Sequence, residues 1–72
     1  MLDEAAEYCR RAIMLNPDYA EAYNNLGTVL QDGSNLDEAI TNYKQAIKHN
    51  PNHARAHSNL GTTLQEQGNT EE

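Results

Sequence analysis

At 72 residues and 38% apolar, the chain has room for one small domain, whose core contributes only a few kcal/mol of net stability. Its net charge of −6 argues against nucleic acid and anionic membrane surfaces as partners, and its few cations (Arg10, Arg11, Lys44, Lys48 and Arg55) form no block. A single cysteine cannot make an internal disulfide, no apolar run approaches membrane-spanning length, and the acidic start MLDEAAEYCRR lacks a signal peptide's apolar stretch, so a soluble, intracellular, cytoplasmic protein is expected.

In chain order, the first predicted helix covers about residues 2–15, where Cys9 lies on an apolar stripe and reads as a small buried hydrophobe. Asn16-Pro17 ends it. A second helix over about 19–32 carries the stripe Tyr23, Leu26, Gly27 and Leu30, and Asp32-Gly33-Ser34-Asn35 is a turn by composition. A third runs over about 36–49. Its apolar residues Leu36, Ala39, Ile40, Tyr43, Ala46 and Ile47 make one stripe, with Asn35 expected as the N-cap and Asp37 and Glu38 in the first turn. Lys44, Lys48 and His49 lie toward its end, where Asn50-Pro51 stops it. A fourth covers about 53–67. No segment shows the period-two alternation of a strand. The fold class is therefore all-α, four helices joined by short connections with antiparallel neighbours.

The chain repeats itself. Asn16-Pro17 returns as Asn50-Pro51 (50 − 16 = 34), and Leu2-Asp3-Glu4-Ala5 returns as Leu36-Asp37-Glu38-Ala39 at the same offset. Leu26-Gly27-Thr28 returns as Leu60-Gly61-Thr62, and about half of the overlaid positions agree. Mid-helix glycine costs about 1 kcal/mol relative to alanine, so Gly27 and Gly61 are expected where another helix approaches closely, with Ala39 and Ala46 as the matching small residues.

A 34-residue period carrying Tyr23, Leu26-Gly27, Leu30, Ala39, Tyr43, Ala46 and Pro51 resembles the tetratricopeptide repeat (TPR) family. The resemblance covers nearly the whole chain, read as a single TPR module over 1–72. Residues 1–19 hold the second helix of a partial repeat, 20–53 a complete repeat, and 54–72 the first helix of another. Cys9 stands where Tyr43 stands in the full unit, and His57 where Tyr23 stands. Asn25 and Asn59, just before each Leu-Gly pair, are also similar to the asparagine in the repeats of O-linked N-acetylglucosamine transferases and related arrays. The resemblance implies a helical solenoid whose first helices line a concave, peptide-binding groove. It implies a non-catalytic interaction scaffold.

The polar stations opposite the apolar stripe are the candidate peptide-binding residues. They are Asn24, Asn25, Thr28, Gln31 and Asp32 on the second helix, and Arg55, Ser58, Asn59, Thr62 and Gln65 on the fourth. A carboxamide offers a donor and an acceptor, as a peptide unit does, so Asn25 and Asn59 can each pair with the main chain of an extended ligand. A clamp for a ligand's terminal carboxylate looks incomplete, since Asn24 and Ser58 stand before those asparagines and Arg55 is the only cation on this face. His49, His53 and His57 stand four apart, but Pro51 interrupts them, and surface or packing roles outweigh metal binding. No phosphate loop, catalytic pair or nucleophile with its base stands out, so no enzyme activity, cofactor or metal is expected.

The chain begins on what reads as a second helix and closes as another should begin, since Gly68-Asn69-Thr70-Glu71-Glu72 parallels the start of the third helix. Each end is expected to expose an apolar flank. Three readings remain: a peptide-binding scaffold, a piece of the substrate-recruiting array of a glycosyltransferase, and a self-assembling module without ligand, stacked head to tail.

Overall fold

The computed structural model describes residues 2–71, with side chains described over 4–69. Four helices follow one another: α1 (Leu2–Leu15), α2 (Ala20–Asp32), α3 (Leu36–His49) and α4 (Ala54–Glu71). Among the described residues no strand is present. α2 packs against each of the other three helices and α3 also packs on α4; among the described residues α1 touches α2 alone.

The turns repeat as the sequence does. The side-chain oxygen of Asn16 accepts the Asp18 N–H at 3.3 Å, and that of Asn50 accepts the Asn52 N–H at 3.2 Å. Asn50 has φ −143° and ψ 90°, the extended backbone that a following proline requires. One repeat apart, the Tyr23 hydroxyl donates to the Pro17 carbonyl at 3.0 Å and His57 Nε2 meets the Pro51 carbonyl at 2.8 Å. Tyrosine and histidine thus clasp the same turn, which accounts for histidine at an aromatic station.

The α2–α3 connection is a Schellman motif. The N–H of Asn35 donates to the Leu30 carbonyl at 2.8 Å and that of Ser34 to the Gln31 carbonyl at 3.0 Å. Ser34 takes the left-handed conformation, φ 66°, that the motif demands. Asn35 stands at the N-cap of α3, but its side chain makes no capping bond. Its backbone closes α2, which leaves ψ at 68° rather than in the β region that aims a side chain at the first turn.

α4 runs to Glu71, beyond the expected end near 67. α2 stops where Ser34 turns left-handed and α3 folds back. Among the described residues no glycine of α4 adopts a positive φ, so the hydrogen-bond ladder continues through Gly68.

The core joins Ala6 of α1, Leu26 and Leu30 of α2, and Ala39 and Tyr43 of α3, with Cys9, Ile13, Val29 and Leu60 packed around it. Gly27 is a close-approach site, but its neighbour is an aromatic ring rather than an alanine. A Cβ at Gly27 would stand 2.6 Å from Cε1 of Tyr43. Ala39 and Ala46 are fully buried and let α3 lie close, while the ring fills the space above the glycine. A Cβ at Gly61 would meet nothing within 4 Å, so the repeated glycine serves different surroundings in the two helices.

Candidate functional site

α2 and α4 lie side by side, and three polar contacts tie them together. Arg55 donates to Glu21 Oε1 at 2.6 Å. Asn59 Nδ2 donates to Asn24 Oδ1 at 3.0 Å, and Gln31 Nε2 donates to Glu66 Oε1 at 2.7 Å. Each contact joins residues 34 or 35 apart, so α4 is set against α2 in one register along its length. Glu21 and Arg55 occupy the same repeat station with opposite charge. Glu21 lies opposite the apolar stripe in the sequence as well, and the structure gives it Arg55 as its partner across the face.

Between the helices lies an open hollow of about 480 Å³, lined by Asn24, Asn25, Thr28, Val29, Arg55 and Asn59. A second hollow of about 410 Å³ adjoins it at Arg55, bordered by Glu21, Asn50, Asn52, His53 and Ala54.

The ten candidate residues divide by their surroundings. Asn25, Thr28, Asp32, Arg55, Ser58, Thr62 and Gln65 are exposed, and Asn59 is half-buried. Asn24 departs from the expected open polar face: it is 2% exposed. Its amide nitrogen donates to Glu21 and its oxygen accepts from Asn59. The cause is the position of α2, which has α4 on the flank that an isolated helix would leave in water. Gln31 also turns inward, its Oε1 accepting the Tyr43 hydroxyl at 2.6 Å while its nitrogen holds Glu66. Thr28 and Thr62 return their hydroxyls to the carbonyls of Asn24 and Ser58, both at 3.1 Å. Asn25 is therefore the amide of the hollow with no side-chain bond among the described residues.

Beneath this face sits a buried polar layer. Tyr43 is fully buried, and its hydroxyl also lies 3.4 Å from the Thr28 hydroxyl. Burial pushes the Tyr43 phenol above its ordinary value; the Thr28 and Thr63 hydroxyls act the other way, and the Asp32 and Glu66 carboxylates add to the rise. Thr63, also fully buried, donates to the Asn59 carbonyl at 2.7 Å. Thr63 escaped the sequence reading because its station, that of Val29 one period earlier, lies outside the apolar stripe of Tyr23, Leu26, Gly27 and Leu30.

The three histidines go to separate partners. The His49 ring stacks on Tyr23 at 5.3 Å, with Nδ1 3.5 Å from Asp18. His53 Nδ1 accepts the Ala56 N–H at 3.1 Å, capping α4, and Nε2 points to Glu21 at 3.6 Å. His57 holds Pro51. Cys9 is half-buried, and burial raises its thiol above the ordinary range, with the Arg10 charge pulling the other way.

Two family models match this chain. One, described as a TPR repeat, spans residues 32–68, just over half of the sequence. The other, described as a tetratricopeptide repeat, spans residues 8–41. The chain belongs to the tetratricopeptide repeat family. Among curated proteins, no relative matches it. TPR repeats generally mediate protein–protein interaction and are typically non-catalytic scaffolds. No described helix is long and apolar enough to cross a membrane.

Proposed function

We propose that this TPR chain is a non-catalytic scaffold that holds an extended segment of a partner protein along the α2–α4 face. The repeating unit of the scaffold is 20–53, flanked by partial repeats over 1–19 and 54–72. The observation that carries the reading is the exposed Asn25 carboxamide, without a side-chain bond and beside a hollow that Thr28, Arg55 and Asn59 complete. Asn25 offers its amide to the ligand main chain in both directions. Asn59 has spent one N–H on Asn24 and keeps its oxygen and second N–H for the ligand. Main-chain recognition of this kind tolerates many side chains, and Arg55 in the hollow tunes preference by charge.

Fluorescence anisotropy against a library of extended peptides tests this. Binding that weakens with Asn25→Ala supports it. Binding unaffected by Asn25→Ala and Arg55→Ala together would place the ligand on another face.

The asparagine repeated before each Leu-Gly pair favours one narrower reading, that the scaffold recruits substrates for a glycosyltransferase. In that case the preferred peptides contain serine or threonine acceptor sites. A library without such a preference removes that reading and leaves the general one intact.

A further inference from the structure

The face of α4 that α2 buries under α3 stands open. Leu30 of α2 is 5% exposed, whereas its equivalent Leu64 is 46% exposed. Gly27 lies under the Tyr43 ring, whereas its equivalent Gly61 has nothing above it. α1 is open in the complementary sense. Ala39, Tyr43 and Ala46 of α3 are fully buried, and their equivalents Ala5, Cys9 and Ala12 on α1 are only half-buried. α1 stands one period before α3, and α4 one period after α2. Among the described residues, the two halves of the α2–α3 packing thus recur uncovered, one on α1 and the other on α4.

We infer that α1 of a second copy docks on the open face of α4, continuing the α2–α3 interface from one chain to the next. Advancing the second copy by two periods places its Cys9 over Gly61, where Tyr43 lies over Gly27.

The polar register agrees. The Glu21–Arg55 contact, moved on by one period, sets Arg55 against Glu21 of the second copy. The Gln31–Glu66 bond becomes Gln65 donating to Asp32 of the second copy. The Asn24–Asn59 bond becomes Ser58 facing Asn25 of the second copy, leaving that amide as available as Asn59 is now. All three pairings match in charge or in donor and acceptor.

One local change is required. The last turn of α4, from Gly68 onward, occupies the place of the α2–α3 turn and has to leave the helix axis. Gly68 is the equivalent of Ser34, the residue with φ 66°, and glycine enters that conformation more readily than serine. The contact is head to tail, so it builds open filaments rather than a closed dimer.

Sedimentation velocity of the 72-residue chain over a wide concentration range, joined to disulfide trapping, tests the inference. The average mass is expected to climb through dimer and trimer without a plateau. Under oxidised glutathione, Gly61→Cys is expected to link to Cys9 of the neighbouring copy and give a ladder beyond dimers, which Cys9→Ser in the same chain truncates at dimers. Thr62→Cys, turned about 100° around the helix, is expected to give no such ladder. A single-chain mass at every concentration overturns the proposal and assigns the face to another occupant. So do ladders that form equally from Gly61→Cys and Thr62→Cys, since the contact would then lack this register.

Discussion

The Tyr43 ring lies so close over Gly27 that a Cβ there would stand 2.6 Å from Cε1, 2.7 Å from Cδ1 and 2.9 Å from Cζ. The ring is fully buried and its hydroxyl is tied to Gln31, so it has little freedom to move aside. Gly27→Ala is therefore expected to destabilise the fold. Overpacking of about 1–3 kcal/mol outweighs the roughly 1 kcal/mol that alanine contributes to a helix. In the separate chain Gly61→Ala meets open space and is expected to stabilise by up to about 1 kcal/mol at concentrations below those at which copies associate. Urea denaturation of the two variants, followed by circular dichroism, should show midpoints moving in opposite directions.

Tyr43→Phe keeps the ring over Gly27 and removes only the hydroxyl. Gln31 Oε1 then loses its 2.6 Å donor in a buried layer, for an expected loss of about 1–2 kcal/mol in a thermal melt. The same variant has a signature in pH. Burial raises the phenol in the folded chain, so the native state keeps its proton longer than the unfolded state does. That contribution is intact below the ordinary tyrosine value of about 10 and is lost as pH rises through the higher folded value. Helicity measured in alkaline titration should fall more steeply for the parent chain than for Tyr43→Phe.

Ser34 holds φ 66° at the close of α2, a conformation that costs a residue with a Cβ about 1–2 kcal/mol. Ser34→Gly relieves that strain, offset in part by the greater freedom of glycine in the unfolded chain. The expected outcome is a modest rise in melting temperature. Gly33→Ala, at φ −86°, has no backbone strain to create, and alanine's smaller freedom in the unfolded chain is expected to raise stability by up to about 1 kcal/mol.

Neighbouring asparagines should separate scaffold from site. Asn24 is buried and bonded on both sides, so Asn24→Ala is expected to cost about 1–2 kcal/mol in denaturant. Asn25 is exposed, and Asn25→Ala should stay within about 0.5 kcal/mol of the parent. In peptide titrations the loss of one paired amide contact predicts roughly tenfold weaker binding for Asn25→Ala. Equal affinities for parent and Asn25→Ala would remove this residue from the site.

The sequence by itself determined the number of helices, their class and their period. Those rest on local signals: the spacing of Leu36, Ala39, Ile40, Tyr43, Ala46 and Ile47, the Asn-Pro stops, and the 34-residue recurrence. The open amide at Asn25 was also legible, because one flank of a helical pattern is polar whatever packs behind it. What only the tertiary structure decided is which polar residues water reaches. Asn24 and Asn25 are adjacent and chemically identical, yet α4 lies over the first and leaves the second in solvent. Gly27 and Gly61 sit at one station of one motif, yet Tyr43 covers only the first. A helix's own periodicity specifies which residues share a face; the number of neighbours around it, set by contacts distant in sequence, determines how many of its faces are buried.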